Sequence, residues 1–305
     1  MKLITLNTHS LEEADYERKL HRLADVVLTE GPDILAMQEV NQSAAAGRLE
    51  PEKLPGYVRC PGFKGEVRQD NHAARLSGLL REEKMQYFWT WVPAKLGYGK
   101  YDEGLAVFSR YPILEADSFR ISQCEDYKNW KTRRILGVRT EAGWFYTVHM
   151  GWWDDREEPF CRQWERLQEH ICAVKSREGQ AGRESRPVWL MGDFNSLDKI
   201  SGEGYDLVSG SGWRDTYLLA QEKDCGITVG KMIDGWRERL SDQDGSQAIR
   251  PEGMRIDYIW CSREIPVLSS RVVCNGENYP VVSDHYGVMV VAGDDIDFYR
   301  EQGRF

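Results

Sequence analysis

The chain opens on a short apolar, β-prone block, "KLITLN", which ends on the polar Asn7. The period then changes. Leu20, Leu23, Ala24, Val27 and Leu28 recur at helical spacing, which predicts an amphipathic helix stopped at Gly31-Pro32. A second apolar block, "DILAMQEV", predicts a strand, and it too carries polar residues at its end, Gln38 and Glu39. Strand, helix, strand is the opening of a layered α/β architecture. Residues 42–83 are polar and broken by Pro and Gly, a long loop with helical pieces. "MQYFWTWVPA" and "GLAVFSRYPI" read as strands, and "RRILGVRTEAGWFYTVHM" as a hairpin with Glu141-Ala142-Gly143 at its tip. "EPFCRQWERLQEHICAVKSR" is amphipathic and helical; "PVWLMGDFN", "MRIDYIWCS" and "YGVMVVAG" are strands. The order mixes hairpins with βαβ-like units, an α/β (α+β) class. With no linker and no break in composition, the expectation is one domain over residues 1–305.

Composition narrows the picture. Of 305 residues, 41% are hydrophobic and 11% aromatic, enough for a sizeable core and against disorder. Forty-nine acidic against 40 basic residues leave a net charge of −9, which lowers the odds of a long polynucleotide partner without excluding a local basic patch. The 7 cysteines are scattered, with no metal-knuckle or CxxC spacing, and read mostly as small buried hydrophobes in a reducing compartment. No window has the apolar length of a membrane span and the N-terminus reads as a strand, so the expected location is the cytoplasm.

The chemistry lies where apolar blocks stop. Asn7, Glu39 in "QEV", Glu103 in "DEGLAVFSR", His149 in "TVHMG", Asp193 and Asn195 in "GDFN", and Asp257 in "RIDYIW" each end or interrupt a strand; Asp284 and His285 precede the last one. Any one of them alone fits a turn or cap. Together they form an inventory of acids, amides and two imidazoles that neighbouring strands can bring to one rim. That inventory suits phosphoester hydrolysis. Mg²⁺ takes oxygen ligands, with Glu39 as anchor and the Asn7 amide oxygen as a neutral contact. His149, His285 and Asn195 supply donors to phosphoryl oxygens, and Asp193 can orient or deprotonate water. Asp284, beside His285, can set its tautomer and charge; Asp257 can steer a neighbour. No Ser, Cys or Lys has an evident activating partner, so direct attack by water is the simpler route.

In that order, Asn7, "QEV", "DEGLAVFSR", "TVHMG", "GDFN", "RIDYIW" and "SDHYGV" resemble the endonuclease/exonuclease/phosphatase superfamily of DNase I-like fold, over nearly the whole chain. The pairing of "GDFN" with a later "SDH" is the most specific part. The resemblance implies a four-layer sandwich, two mixed β-sheets face to face with helices outside and the site at one end. It implies a metal-dependent hydrolase using Mg²⁺ or Mn²⁺. It makes Glu39 the main metal ligand aided by Asn7, Asp193 the water-activating residue and Asn195 a phosphate contact. His149 and His285 flank the phosphate, Asp284 stands behind His285, and Glu103 partners His149. The "TVHMG" histidine is closer to members acting on small or lipid-derived phosphodiesters and on inositol phosphates than to the abasic-site nucleases, whose mid-site tyrosine has no counterpart to assign here.

Around these residues three segments carry two readings each. Trp152 and Trp153 follow His149 and either pack under the next helix or form a stacking wall, for a base, a sugar or a quaternary ammonium, worth about 0.5–2 kcal/mol in the last case. The acids Asp154, Asp155, Glu157 and Glu158 either repel a polyanion or serve a helix N-terminus. Lys128, Lys131, Arg133 and Arg134 near Trp130 are either a solvated edge strand or a second anion pocket. Gly226–Trp236 is glycine-rich, a mobile substrate loop or a plain insertion. The leading reading is a phosphodiesterase or phosphatase for a small or lipid-derived phosphoester. The alternatives are a DNA or RNA nuclease, and a non-catalytic binding module, which the complete set of site residues argues against.

Overall fold

Lys2–Asn7 (β1) and Ile34–Ser43 (β2) lie parallel, bridged by the helix Tyr16–Glu30 (α1). Gly31 ends that helix in the left-handed region, φ +53°, its N–H returning to Val27 O at 2.9 Å. The unit recurs: Gly143–His149 (β7) and Val188–Asp193 (β8) are parallel and bridged by Phe160–Gln180 (α3). These two βαβ units sit at the centres of two mixed sheets in a computed structural model that describes residues 1–63, 65–183, 186–231, 236 and 253–293.

The remaining strands are Phe88–Gly97 (β3), Tyr101–Ser109 (β4), Glu115–Arg120 (β5), Arg134–Thr140 (β6), Arg214–Asp215 (β9), Ala220–Lys223 (β10), Asp257–Cys261 (β11), Val267–Val273 (β12) and Gly287–Ala292 (β13). A 7-stranded sheet runs β10-β12-β13-β1-β2-β4-β3 and a 6-stranded sheet β5-β6-β7-β8-β11-β9. The hairpin expected over 133–150 is β6–β7, with Thr140 opposite Gly143. The loop expected over 42–83 holds the helix His72–Glu82 (α2), which Asn71 caps from its side chain to Ala74 N at 3.0 Å.

Strand residues alternate between two cores. Leu3, Ile34 and Ala36 of the first sheet meet Phe145, Trp189, Met191 and Ile259 of the second between the sheets. Their neighbours Ile4, Leu6, Leu35 and Met37 face outward onto α1 and α2, while Tyr146, Leu190 and Trp260 face α3. Both faces of the central strands are therefore buried, which is why they read as continuous apolar runs. The result is four layers, helix, sheet, sheet, helix, as the fold class read from the sequence requires. Of the cysteines, Cys60, Cys261 and Cys274 are buried, Cys172 and Cys225 exposed, so the expectation of mostly buried thiols is only partly met. Among the described residues no helix is long and apolar enough to cross a membrane.

Polar groups interrupt the inter-sheet core at one level. Gln38 Nε2 donates to Thr147 Oγ1 (2.7 Å) and Thr5 Oγ1 (3.1 Å), and Thr147 Oγ1 donates to Met37 O (3.2 Å). All three side chains are buried and tie the first sheet to the second. The cross-tie needs the bare Gly192: at φ +148° a Cβ there would lie 2.0 Å from Val148 O and 2.9 Å from Gln38 Nε2.

Candidate active site

Just beyond this cross-tie, the carboxyl ends of both parallel pairs meet. Asn7 lies opposite Gln38 in the β1–β2 register, and His149 opposite Asp193 in β7–β8. Antiparallel β11 adds Asp257 opposite Asp193, so His149, Asp193 and Asp257 form one row across three strands. Asn7 joins the sheets, its Nδ2 donating to Glu39 Oε1 at 2.8 Å and to Asp193 Oδ2 at 3.2 Å.

Two site residues hold backbone conformations that most residues avoid. Glu39 sits in a bulge where the β2–β4 register slips between Met37 and Val40, at φ +51°. Asn195 is at φ +46°, which asparagine tolerates better than most. Its backbone N–H donates to Asp193 Oδ1 (2.8 Å), its Nδ2 to Met150 O (3.0 Å), and Trp152 Nε1 donates to its Oδ1 (3.1 Å). Strain at bulges and strand ends is typical of places where a fold re-aims side chains.

The carboxylate on His285 is Asp257, Nδ1 to Oδ2 at 2.9 Å, with Arg255 fixing the start of that strand through Asp215 (2.7 Å) and Asp198 (3.1 Å). Asp284, expected behind His285, instead accepts Ser283 Oγ–H (3.1 Å) and lies on the cavity wall. Glu103, expected as the partner of His149, pairs with Lys95 Nζ at 3.1 Å. The Nε2 atoms of His149 and His285 lie 3.6 and 3.8 Å from Asp193 Oδ2.

Electrostatics separates the two imidazoles. Burial opposes charge on His285, yet Asp257 and Asp193 hold its pKa well above the usual value. Burial, then the positive charges of Arg133 and Lys95, press His149 well below its usual value, so it is neutral. Burial raises Asp193 to about 7; Asp257 and Glu39 add to this and His285 opposes it. Burial, with Glu103 and Asp284 nearby, also raises Glu39. Such crowding of carboxylates is what a divalent cation offsets. The donor set suits a hard ion: Glu39 and Asp193 present carboxylate oxygens to the cavity, and the buried Asp257 Oδ1 has no hydrogen-bond partner among the described residues.

The cavity between these groups measures about 350 Å³. Its wall includes residues that the sequence reading did not place there: His9, Lys95, Tyr98 and, from the basic cluster, Arg133. His9 N donates to Asn7 Oδ1 (3.2 Å), and despite burial the carboxylates of Glu13 and Asp284 raise its pKa to about 9. Nothing in "NTHS" distinguishes that histidine from a loop residue. The tryptophans divide: Trp152 lines the cavity beside Trp130 at 5.7 Å, whereas Trp153 packs on Phe160 at 6.2 Å. The acids are staples. Asp155 accepts Glu157 N and Glu158 N and pairs with Lys131, and Glu158 accepts Gln123 N. Of the glycine-rich Gly226–Trp236 segment, Thr228 and Val229 are buried, and residues 232–235 lie outside the described residues.

Several solved structures are similar over almost the whole chain, three of them as follows. An endonuclease/exonuclease/phosphatase family protein from Leptotrichia buccalis is 27% identical with TM-score 0.78, covering 96% of this chain and 100% of that one. A mannosyl-6-phosphatase from Bacteroides thetaiotaomicron is 16% identical, TM-score 0.58, with coverages of 96% and 100%. A 3′ phosphatase from Neisseria, bound to a product DNA hairpin, is 16% identical, TM-score 0.55, with the same coverages. None of the curated proteins matches. A sequence profile described as the Endonuclease/Exonuclease/phosphatase family matches residues 4–285, and with the two-sheet fold this places the chain in that family.

Proposed function

We propose that the protein, as one domain over residues 1–305, is a phosphoester hydrolase dependent on Mg²⁺ or Mn²⁺, acting by direct attack of water on a small or lipid-derived phosphoester. Members of the family hydrolyse phosphoesters and generally use a divalent metal. The observation that carries the reading is the row His149, Asp193, Asp257 closed by His285, with Asn7 and Glu39 facing it from the other sheet.

Glu39 and Asn7 would hold the metal, which supplies charge neutralisation and polarisation of phosphoryl oxygen. Asp193 accepts the proton of the attacking water, and a carboxyl raised by burial is a better base than an exposed one. His285, kept charged by Asp257, donates to a phosphoryl oxygen as negative charge grows there. Neutral His149 and the Asn195 amide donate from the other side. Trp152 walls the substrate's remaining group, Trp153 does not, and Glu103 acts through Lys95. Location in the cytoplasm is part of the same reading.

The test is a panel of aryl mono- and diesters, choline phospholipids, inositol phosphates and short DNA and RNA, each with Mg²⁺ or Mn²⁺. At least one small ester should turn over, and Asp193→Asn should cut its kcat by about 10²–10⁴-fold with melting temperature unchanged. Glu39→Gln should raise the metal concentration for half-maximal rate. An unchanged metal titration would remove Glu39 from the metal site, and turnover confined to nucleic acid would favour the nuclease reading.

A further inference from the structure

Arg133 is the one residue of the basic cluster that lines the cavity, and among the described residues it has no carboxylate partner. The extended chain alternates sides, so Arg134 turns away to Ser118 Oγ (3.2 Å). Lys131 is engaged by Asp155 (2.9 Å) and Glu157 (3.0 Å). Arg133 is 7% exposed and lines the cavity beside Trp130, Trp152 and His149. Its only side-chain hydrogen bond among the described residues runs from Nη1 to Trp130 O at 2.9 Å; its Nε is buried with no partner. Lys95, which lines the same cavity, already has its carboxylate in Glu103. A buried guanidinium with no anion is costly to keep, since desolvation penalises an unpaired charge. Its planar fork fits two oxygens of one phosphate better than an ammonium would.

We infer that Arg133 receives a second negative charge of the substrate, so that the favoured substrates are dianionic phosphate groups rather than simple diesters. A diester phosphate bears one charge, which the metal and His285 side of the site already address. A terminal monoester bears nearly two, and Arg133 on the cavity wall is the cation available for the extra one. The same extra charge can instead sit on a remote phosphate of a diester. The inference rests on the hydrolytic reading above and sharpens it to a substrate class.

The experiment compares kcat/KM of the full chain with Mg²⁺ on three substrates of one leaving group: an aryl monoester, a methyl aryl diester, and an aryl diester carrying a remote phosphate. Wild type is compared with Arg133→Gln and Arg133→Lys, with circular dichroism and melting temperature as controls. Arg133→Gln should lower the monoester value on the order of 10- to 100-fold, mainly through KM, and the simple diester by far less; Arg133→Lys should recover part. Loss in the monoester arm alone puts the charge on the reacting group; loss only in the remote-phosphate arm puts it there. Equal losses in all arms, or none, overturn the inference. If wild type hydrolyses nothing, the hydrolytic reading fails by itself. Calorimetric binding of inorganic phosphate then decides for Arg133: binding lost in Arg133→Gln sustains it, and binding unchanged or absent in wild type overturns it.

Discussion

At the scale of the residue, the site turns on which carboxylate holds His285. Asp257 does so at 2.9 Å, from 28 positions earlier in the chain. Asp257→Asn should therefore remove the larger of the charges that keep His285 protonated, leaving Asp193, and cost about 10²-fold or more in kcat. Asp284→Asn should cost markedly less, and side-by-side kcat values of the two variants check this. Equal losses would mean that adjacency in sequence mattered after all. The sequence made every member of the row visible, because a polar side chain at the end of an apolar strand has no packing reason to be there. It could not show the pairings. "SDH" puts Asp284 next to His285, but the chain bends there, so Asp284 takes the Ser283 hydroxyl while the ring reaches Asp257 from another strand. Glu103 likewise found Lys95 across a β3–β4 bulge, a contact that depends on a register slip no local pattern encodes.

At the scale of the element, α1 and α2 pack around a buried histidine. His72 accepts Tyr16 O–H or donates to it at Nδ1 (3.1 Å), while its buried Nε2 has no partner among the described residues. Burial, then Arg75, press its pKa down to about 3. The folded state thus resists a proton that the unfolded chain accepts from about pH 6.5 downward. Stability should fall as pH drops from about 6.5 toward 3, by up to about 1.4 kcal/mol per pH unit from this group. Urea titrations of wild type and His72→Gln across that window should show a shallower slope in the variant. Elements buried on both faces, such as β1, β2, β8 and β11, were legible as apolar runs. β5, half-buried throughout, and the edge strand β10, with three exposed residues, were not, since their composition is that of a surface loop.

For the whole molecule, the proposed action on a small ester, with a net charge of −9, predicts a flat response to ionic strength. Between about 50 and 200 mM salt, kcat/KM for such an ester should change by less than about twofold. Binding to a polynucleotide through 6–10 phosphate contacts would lose about 10³–10⁵ in affinity over the same range. A steep salt slope would shift the balance toward the nuclease.

The residues of the candidate site are divided between the two sheets: Asn7 and Glu39 ride on one, His149, Asp193 and Asp257 on the other. Greasy surfaces resist separation but tolerate sliding, because the hydrophobic effect has no preferred direction. The bond from Gln38 to Thr147 does have one, so it acts as a detent between two plates. Loosening it would lower stability by about 1–3 kcal/mol, because both side chains are buried, and would let the two halves of the site drift in register.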